Sequence, residues 1–190
     1  MRYQVNIETC WIAGLWGADR GVLAKGVVAI VNTTPELLEN FHEFSLRNFD
    51  ITESKFRRRI IRGFGESQEV YFTRLPVRRF IEELLSKREN LNKRNSLAYL
   101  AGRFDGDGNV SSKSSSLCIF YNFKEKEDAK TDKRILENLG FNVALSEEPK
   151  IIRLRVLKPR YFASKLIKYN KHKKKTEHLK LLVSKRLYRS

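Results

Sequence analysis

The chain has 190 residues, with 38 Lys and Arg against 22 Asp and Glu, a formal charge of +16, and 41% hydrophobic residues. That length admits one domain or two small ones and excludes a mini-protein or a large multidomain enzyme, while the apolar fraction is enough to bury a core. The excess of positive charge repels itself in a compact chain and points to an acidic partner, either nucleic acid or an anionic membrane surface. Apolar runs such as residues 27–31 are far shorter than the ~20 residues of a bilayer span. The first eight residues carry no apolar signal region, so an intracellular protein is expected, in a prokaryotic cytoplasm or an organelle. Cys10 and Cys118 each sit in an apolar stretch and read as reduced core residues.

In chain order, residues 8–18 form a short apolar helix, followed by a strand-like segment over 22–32. A helix follows from Thr34 as N-cap with Pro35 at its first position, its apolar face made by Leu37, Leu38, Phe41 and Phe44. Residues 54–64 and 69–75 read as a hairpin around 65–67, and a helix over 76–87 closes the unit. A charged linker is expected at 89–95. The same order then recurs: helix 96–106, strands 110–122, a helix over 126–139 stopped by Gly140, strands 141–145 and 150–157, and a helix over 159–169.

This recurrence is a repeat. The segment from Trp11 to Asp19 matches that from Tyr99 to Asp107, 88 positions on, and the segment from Val70 to Phe80 matches that from Ile152 to Phe162, 82 positions on. The chain therefore divides into 1–88, a linker at 89–95, and 96–190, each copy too small to bury much surface alone. Charge is divided unequally. Residues 150–190 carry fifteen Lys and Arg against the single acid Glu177. Strand alternation puts Arg153 and Arg155 on one face of their strand, with Tyr71 and Thr73 at the matching places and Lys55, Arg57 and Arg59 along one side of another strand. Lys25 and Lys113, in the first strand-like segment of each copy, extend this polar surface, which is suited to phosphates and base edges.

The two opening helices carry stripes of small residues, Gly14 and Ala18 in one and Gly102 and Gly106 in the other, with Ala13 and Ala101 beside them, so the pair can pack closely. Each stripe ends on an aspartate, Asp19 or Asp107. Two carboxylates at neighbouring helix C-termini repel each other and face the negative end of each helix dipole, so a cation should compensate. Hard oxygen ligands on a close pair suit Mg²⁺, and phosphodiester hydrolysis is the chemistry such a pair supports.

The two segments 12–19 and 100–108 resemble the paired motifs of a single-chain LAGLIDADG homing endonuclease, and the pattern of elements matches over nearly the whole chain. The resemblance implies an α+β fold of two pseudo-symmetric αββαββ units, with a final α helix, whose antiparallel sheets form a DNA-binding saddle and whose motif helices meet at the centre. It implies a monomeric, intron-homing enzyme that binds a long asymmetric DNA site and cuts both strands across the minor groove, leaving short 3′ overhangs. The implied cofactor is Mg²⁺, with Mn²⁺ or Ca²⁺ able to substitute in binding. Asp19 and Asp107 would be the catalytic acids and metal ligands, joined by the main-chain carbonyls of Ala18 and Gly106. Asn32 and Asn122 would hold the attacking water, and Lys93 and Lys173 would stabilise charge, with Arg94 and Lys174 as neighbouring choices. Two departures stand out: Gly17 replaces a commonly acidic sixth motif position that Asp105 keeps in the second copy, and Arg20 replaces the glycine that ends the first motif. Unequal cleavage of the two strands is an expected consequence. The alternative is an intron-RNA maturase, binding RNA through the basic surface without cutting DNA.

Overall fold

The structure, a computed structural model, describes residues 3–21, 24–61, 66–111 and 116–184. Helix α1 (Ile7–Asp19) starts at Asn6, whose side chain accepts the Thr9 amide at 3.0 Å while the Thr9 hydroxyl accepts the Asn6 amide at 2.9 Å. Its counterpart α4 (Lys93–Asp107) starts at Asn92, which accepts the Asn95 amide. That cap moves the helix start three residues ahead of the expected position 96. Part of the stretch read as linker is therefore helix, and a 3₁₀ turn, Arg88–Asn90, fills the rest. Every residue from Thr9 to Gly17 and from Asn95 to Asp105 is buried, as suits helices covered on all sides.

The packing of α1 against α4 is the most extensive between any two elements. A Cβ at Gly14 would fall on the Tyr99 carbonyl oxygen, and one at Gly102 would fall on that of Trp11. Glycine at these two places lets the backbones touch, which is the close approach the small-residue stripes predict.

Around this pair the two units repeat one arrangement. In the first, β1 (Val27–Asn32), α2 (Pro35–Asn48), β2 (Arg57–Ile60), β3 (Gln68–Thr73) and α3 (Leu75–Ser86) follow α1. In the second, β4 (Gly108–Ser111), β5 (Ser116–Asn122), α5 (Lys126–Asn138), β6 (Val143–Glu147), β7 (Ile151–Val156), α6 (Pro159–Leu166) and α7 (Lys173–Ser184) follow α4. Both sheets are antiparallel, ordered β1-β3-β2 and β4-β5-β7-β6, so β1, β3 and β2 correspond to β5, β7 and β6. Gly140 lies just beyond α5 with φ 84°, a left-handed terminator that glycine adopts without strain.

Local details differ from the sequence reading: α6 ends at Leu166 rather than 169, and β1 starts at Val27 rather than 22. Thr34 sits at the N-cap of α2 but its side chain makes no capping bond; Asn32 Oδ1 accepts the Thr34 amide at 2.7 Å instead. Residues Glu53–Lys55 form a 3₁₀ turn rather than strand, so Lys55 leaves the row it was expected to share with Arg57 and Arg59.

One hydrophobic core runs through both units, from Phe41, Phe49 and Phe72 through Trp11 and Leu15 to Phe104, Ile152 and Phe162. Inside it lies a polar knot. Asp132 is fully buried and accepts Tyr99 Oη at 2.9 Å, Tyr121 Oη at 2.8 Å and Arg88 Nε at 3.1 Å, with Arg103 Nε at 3.7 Å. It ties α4, α5, β5 and the turn joining the units into one cluster.

Candidate active site at the ends of the central helices

Asp19 and Asp107 are the last residues of α1 and α4, and close packing of the two helices brings their carboxylates together. A Cβ at Gly106 would strike the Ala18 methyl and come within 2.9 Å of Asp19 Oδ2, so the first acid lies directly over the end of the second helix. Burial pushes Asp19 up to about 6 and Asp107 up to about 7, and repulsion from Asp19 and Glu125 adds to the rise at Asp107. Opposing it are the Asn32 amide, donating to Asp19 Oδ2 at 2.8 Å, and the cations of Lys175 and Arg103.

The surroundings of the two acids are unlike. Asp19 is held by Asn32, the last residue of β1, whose Oδ1 also accepts the Thr34 amide at the N-cap of α2. Asp107 faces Arg103, one helical turn back, whose Nη2 stands 3.9 Å from Asp107 and 3.9 Å from Glu125. Arg103 is 2% exposed, stacks on Tyr121 with 4.5 Å to the ring centre, and leaves Nε and Nη2 without a hydrogen bond. Gly17 makes room for it, since a Cβ there would lie 3.2 Å from Arg103 Nη1. The missing acid of the first motif and the extra arginine of the second are thus neighbours.

Several expected site residues lie elsewhere. Lys93 is the first residue of α4, about 20 Å along the axis from Asp107 at 1.5 Å per residue, and it lines a depression with Glu89, Ser96 and Asn138. Lys173 is exposed, and its main-chain amide donates to Glu36 at 3.2 Å. The basic residue at the site is Lys175. Its ammonium donates to the carbonyls of Phe104, Asp105 and Gly106 at 3.0, 2.7 and 2.8 Å, capping the C-terminal end of α4. Lys175 shares a helix face with the buried Leu179 and Leu182, whereas Lys173 and Lys174 point away, so the apolar period of α7 identifies it. The Gly106 carbonyl, the expected main-chain ligand in the second unit, accepts one of the Lys175 bonds and keeps a second lone pair. Asn122 is exposed, and its Oδ1 accepts the Lys124 amide at 3.1 Å at the start of a 3₁₀ turn, as the Asn32 Oδ1 accepts the Thr34 amide.

Arg20 needs no glycine. It takes φ −59° and ψ 128°, pairs as an isolated bridge with Ile30, and stacks on Trp16. The glycine one residue later is required for space, because a Cβ at Gly21 would meet Glu69 and the side chains of Ala29 and Val31.

The outer sheet faces carry most of the expected DNA contacts. Arg153 and Arg155 stand opposite Phe120 and Cys118 and line a depression with Asn109, Ser111 and Ser116. Arg153 is held by Glu148 at 2.9 Å and lies over the Phe120 ring. In the first unit Arg59 pairs with Glu69 and lies over Tyr71, Arg57 folds back onto the Ser54 and Phe56 carbonyls, and Thr73 is exposed. Lys25 is exposed in the turn before β1. Lys113 lies outside the described residues.

The donor set suits Mg²⁺, which binds through one or two carboxylates, water and substrate phosphate rather than a full protein cage. Two buried acids held above their ordinary range, Asp19 by burial and the charge of Asp105, and Asp107 by burial and the charges of Asp19 and Glu125, form an anionic cluster that Lys175 and Arg103 offset only in part. Asp19 and Asp107 end adjoining helices and are the side chains that could hold the ion, with the carbonyls of Ala18 and Gly106 as the expected main-chain ligands. Among the described residues no cluster of three or more His, Cys, Asp or Glu stands ready to hold a metal, and no helix is long and apolar enough to cross a membrane.

The architecture is the two-unit LAGLIDADG fold. It superposes on I-DmoI in complex with DNA and Ca with a TM-score of 0.73 at 19% identity, over 93% of this chain and 98% of that one. Mesophilic variants of the homing endonuclease I-DmoI align with a TM-score of 0.69 at 19% identity, over 86% of this chain and 90% of theirs. The N-terminal LAGLIDADG domain of DUF199/WhiA aligns with a TM-score of 0.58 at 10% identity, over 98% of this chain and 88% of that one. In sequence, an uncharacterized protein of Methanocaldococcus jannaschii is 37% identical over 70 residues, which cover 35% of this chain and 27% of that protein. No family model matches the chain.

Proposed function

We propose that the protein is a monomeric, site-specific double-strand DNA endonuclease of the intron-homing type. The observation that carries this reading is the meeting of Asp19 and Asp107 at the ends of α1 and α4, beside Lys175, in a chain whose two sheets carry Arg57, Arg59, Arg153 and Arg155. I-DmoI, a structural neighbour, has been captured in complex with DNA and Ca, and a single-substitution variant of it with its target DNA in the presence of Mg. By analogy the sheets would lie along a long asymmetric site in the major groove, and the acids would cut across the minor groove to leave short 3′ overhangs. A bound Mg²⁺, held by Asp19 and Asp107 with the carbonyls of Ala18 and Gly106, would polarise the scissile phosphate and lower the pKa of a water.

The chain's own groups do the rest. Asn32 fixes the orientation of the Asp19 carboxylate through its amide. Arg103 places a permanent positive charge beside Asp107 from within the core. Lys175 sets an ammonium at the rim of the acid pair, where negative charge builds on the phosphate in the transition state. Lys175→Met is expected to slow single-turnover cleavage about 100-fold, the scale for losing one preorganised charge, with target affinity nearly unchanged in a gel-shift assay.

Because Asp19 is paired with Asn32 and Asp107 with Arg103, the two strands should be cut at different rates. Nicked intermediates mapped on each strand should accumulate with one strand cut first; equal first-cut rates would contradict this.

Acidity offers a further check. In the unfolded chain both acids ionise near 3.8, but in the folded protein they hold protons to about 6 and 7. Between those limits the folded state binds more protons, so stability without metal falls as pH rises from about 4 to 7. A divalent ion competes with the same protons. Mg²⁺ is expected to raise the melting temperature at pH 8 and to leave it unchanged at pH 5, measured against a chelator control.

An RNA maturase lacking DNA cleavage gains no specific support, since it gives the convergence of Asp19, Asp107 and Lys175 no task. Cleavage of the intron-less allele of the host gene, set beside incubation with its precursor RNA, separates the two readings.

A further inference from the structure

We propose that Asp105 is a positioning residue that holds Lys175 at the active site and thereby sets the cleavage rate without touching DNA. The cleavage readout rests on the endonuclease reading above; the placement of Lys175 does not. Asp105 is completely buried. Its Oδ2 accepts Trp11 Nε1 at 2.7 Å and the Lys171 main-chain amide at 2.8 Å, and its Oδ1 accepts the His172 amide at 3.1 Å. One carboxylate thus joins α1 to the strap that leads into α7.

Three residues along that strap, the Lys175 ammonium returns to the same stretch of α4 and bonds the carbonyls of residues 104, 105 and 106. Residue 105 therefore grips the strap twice, through its side chain at 171 and 172 and through its carbonyl at 175. The start of α7 has bonds of its own, from Asn170 Nδ2 to Thr176 Oγ1 at 2.9 Å and from the Thr176 amide to the His172 carbonyl at 2.9 Å. Its far end is anchored by the buried Leu179 and Leu182. Losing the Asp105 carboxylate should leave α7 formed and docked, and free only the placement of its first turn. The device is one-sided, because the equivalent position of the first motif is Gly17.

The test is Asp105→Asn, which keeps the shape but turns an NH₂ group towards main-chain donors. Lys175 acylation by an amine-reactive ester, followed by mass spectrometry with Lys173 and Lys174 as internal references, is expected to be about tenfold faster in the variant because its local protection is lost. Single-turnover cleavage is expected to fall about 10- to 100-fold, the effect of a small misplacement of a catalytic group. In a Lys175→Met background the same substitution should change the rate by less than about twofold, since both act through one group. Unchanged labelling of Lys175, or rate effects that multiply in the double variant, would overturn the proposal. If Asp105→Asn melts below the assay temperature, Lys171→Pro, which removes one donor and leaves the carboxylate, takes its place with the same expected outcomes. Should the wild type cut no DNA, the labelling result still decides the placement of Lys175, and the endonuclease reading alone fails.

Discussion

Asp19→Asn and Asp107→Asn are each expected to slow cleavage about 1000-fold while leaving target affinity within about threefold, because several kcal/mol of metal-derived stabilisation depend on an anionic ligand set. The amide is nearly isosteric with the carboxylate. An asparagine at position 19 can still accept from Asn32 through its remaining oxygen, so the ends of α1 and α2 should stay in place. Burial is the main cause that pushes these acids up to about 6 and about 7, and a neutral side chain at either position removes that cost at its own site. Each variant should therefore melt at or above the wild type at pH 8 in chelator. Loss of cleavage with stability kept or gained identifies a chemical defect, whereas loss of both would point to a structural role for the acid. Single-turnover cleavage, gel shift and thermal melts on the same preparations distinguish these outcomes.

Asp132→Ala is expected to lower stability by about 3–5 kcal/mol, the range for removing one member of a buried charged network. It would strip Tyr99, Tyr121 and Arg88 of hydrogen bonds they make at 2.8–3.1 Å and leave the buried Arg103 to its longer contacts with Asp107 and Glu125 and its stacking on Tyr121. Since Arg103 lies beside Asp107, the surviving folded protein should also cut more slowly, the two effects arising from one knot. Denaturant unfolding measures the first effect. A loss below about 1 kcal/mol would show that the network is replaceable by packing alone.

The paired motifs, the order of elements and the pairing of Asp19 with Asp107 were legible in the sequence because they depend on local signals: small residues at helical spacing, Pro35 at a helix start, Gly140 at a helix end, and period-2 alternation of apolar residues. Asn32 was legible too, as a polar residue ending a strand. What stayed hidden depends on long-range geometry. Lys175 lies within a run of five basic or histidine residues, and only the apolar period of α7 separates it from Lys173 and Lys174. Lys93 was misplaced because the Asn92 cap starts α4 early and puts this residue at the helix end remote from the acids. Arg103 reads as an unwelcome charge inside an apolar motif; its partners Asp132, Glu125 and Tyr121 come from other elements. Asp105 and Gly17 looked like unrelated departures at equivalent positions. In the structure one holds the strap of Lys175 and the other makes space for Arg103.

The most direct measurement is selection for cleavage: the wild type and an Asp19→Asn, Asp107→Asn double variant are each incubated with Mg²⁺ and a plasmid library of randomised and genomic inserts, and the cut ends are sequenced. The expected result is one long asymmetric sequence cut on both strands with short 3′ overhangs by the wild type alone. Absence of any enriched site, or equal cutting by the double variant, would contradict a two-carboxylate DNA endonuclease.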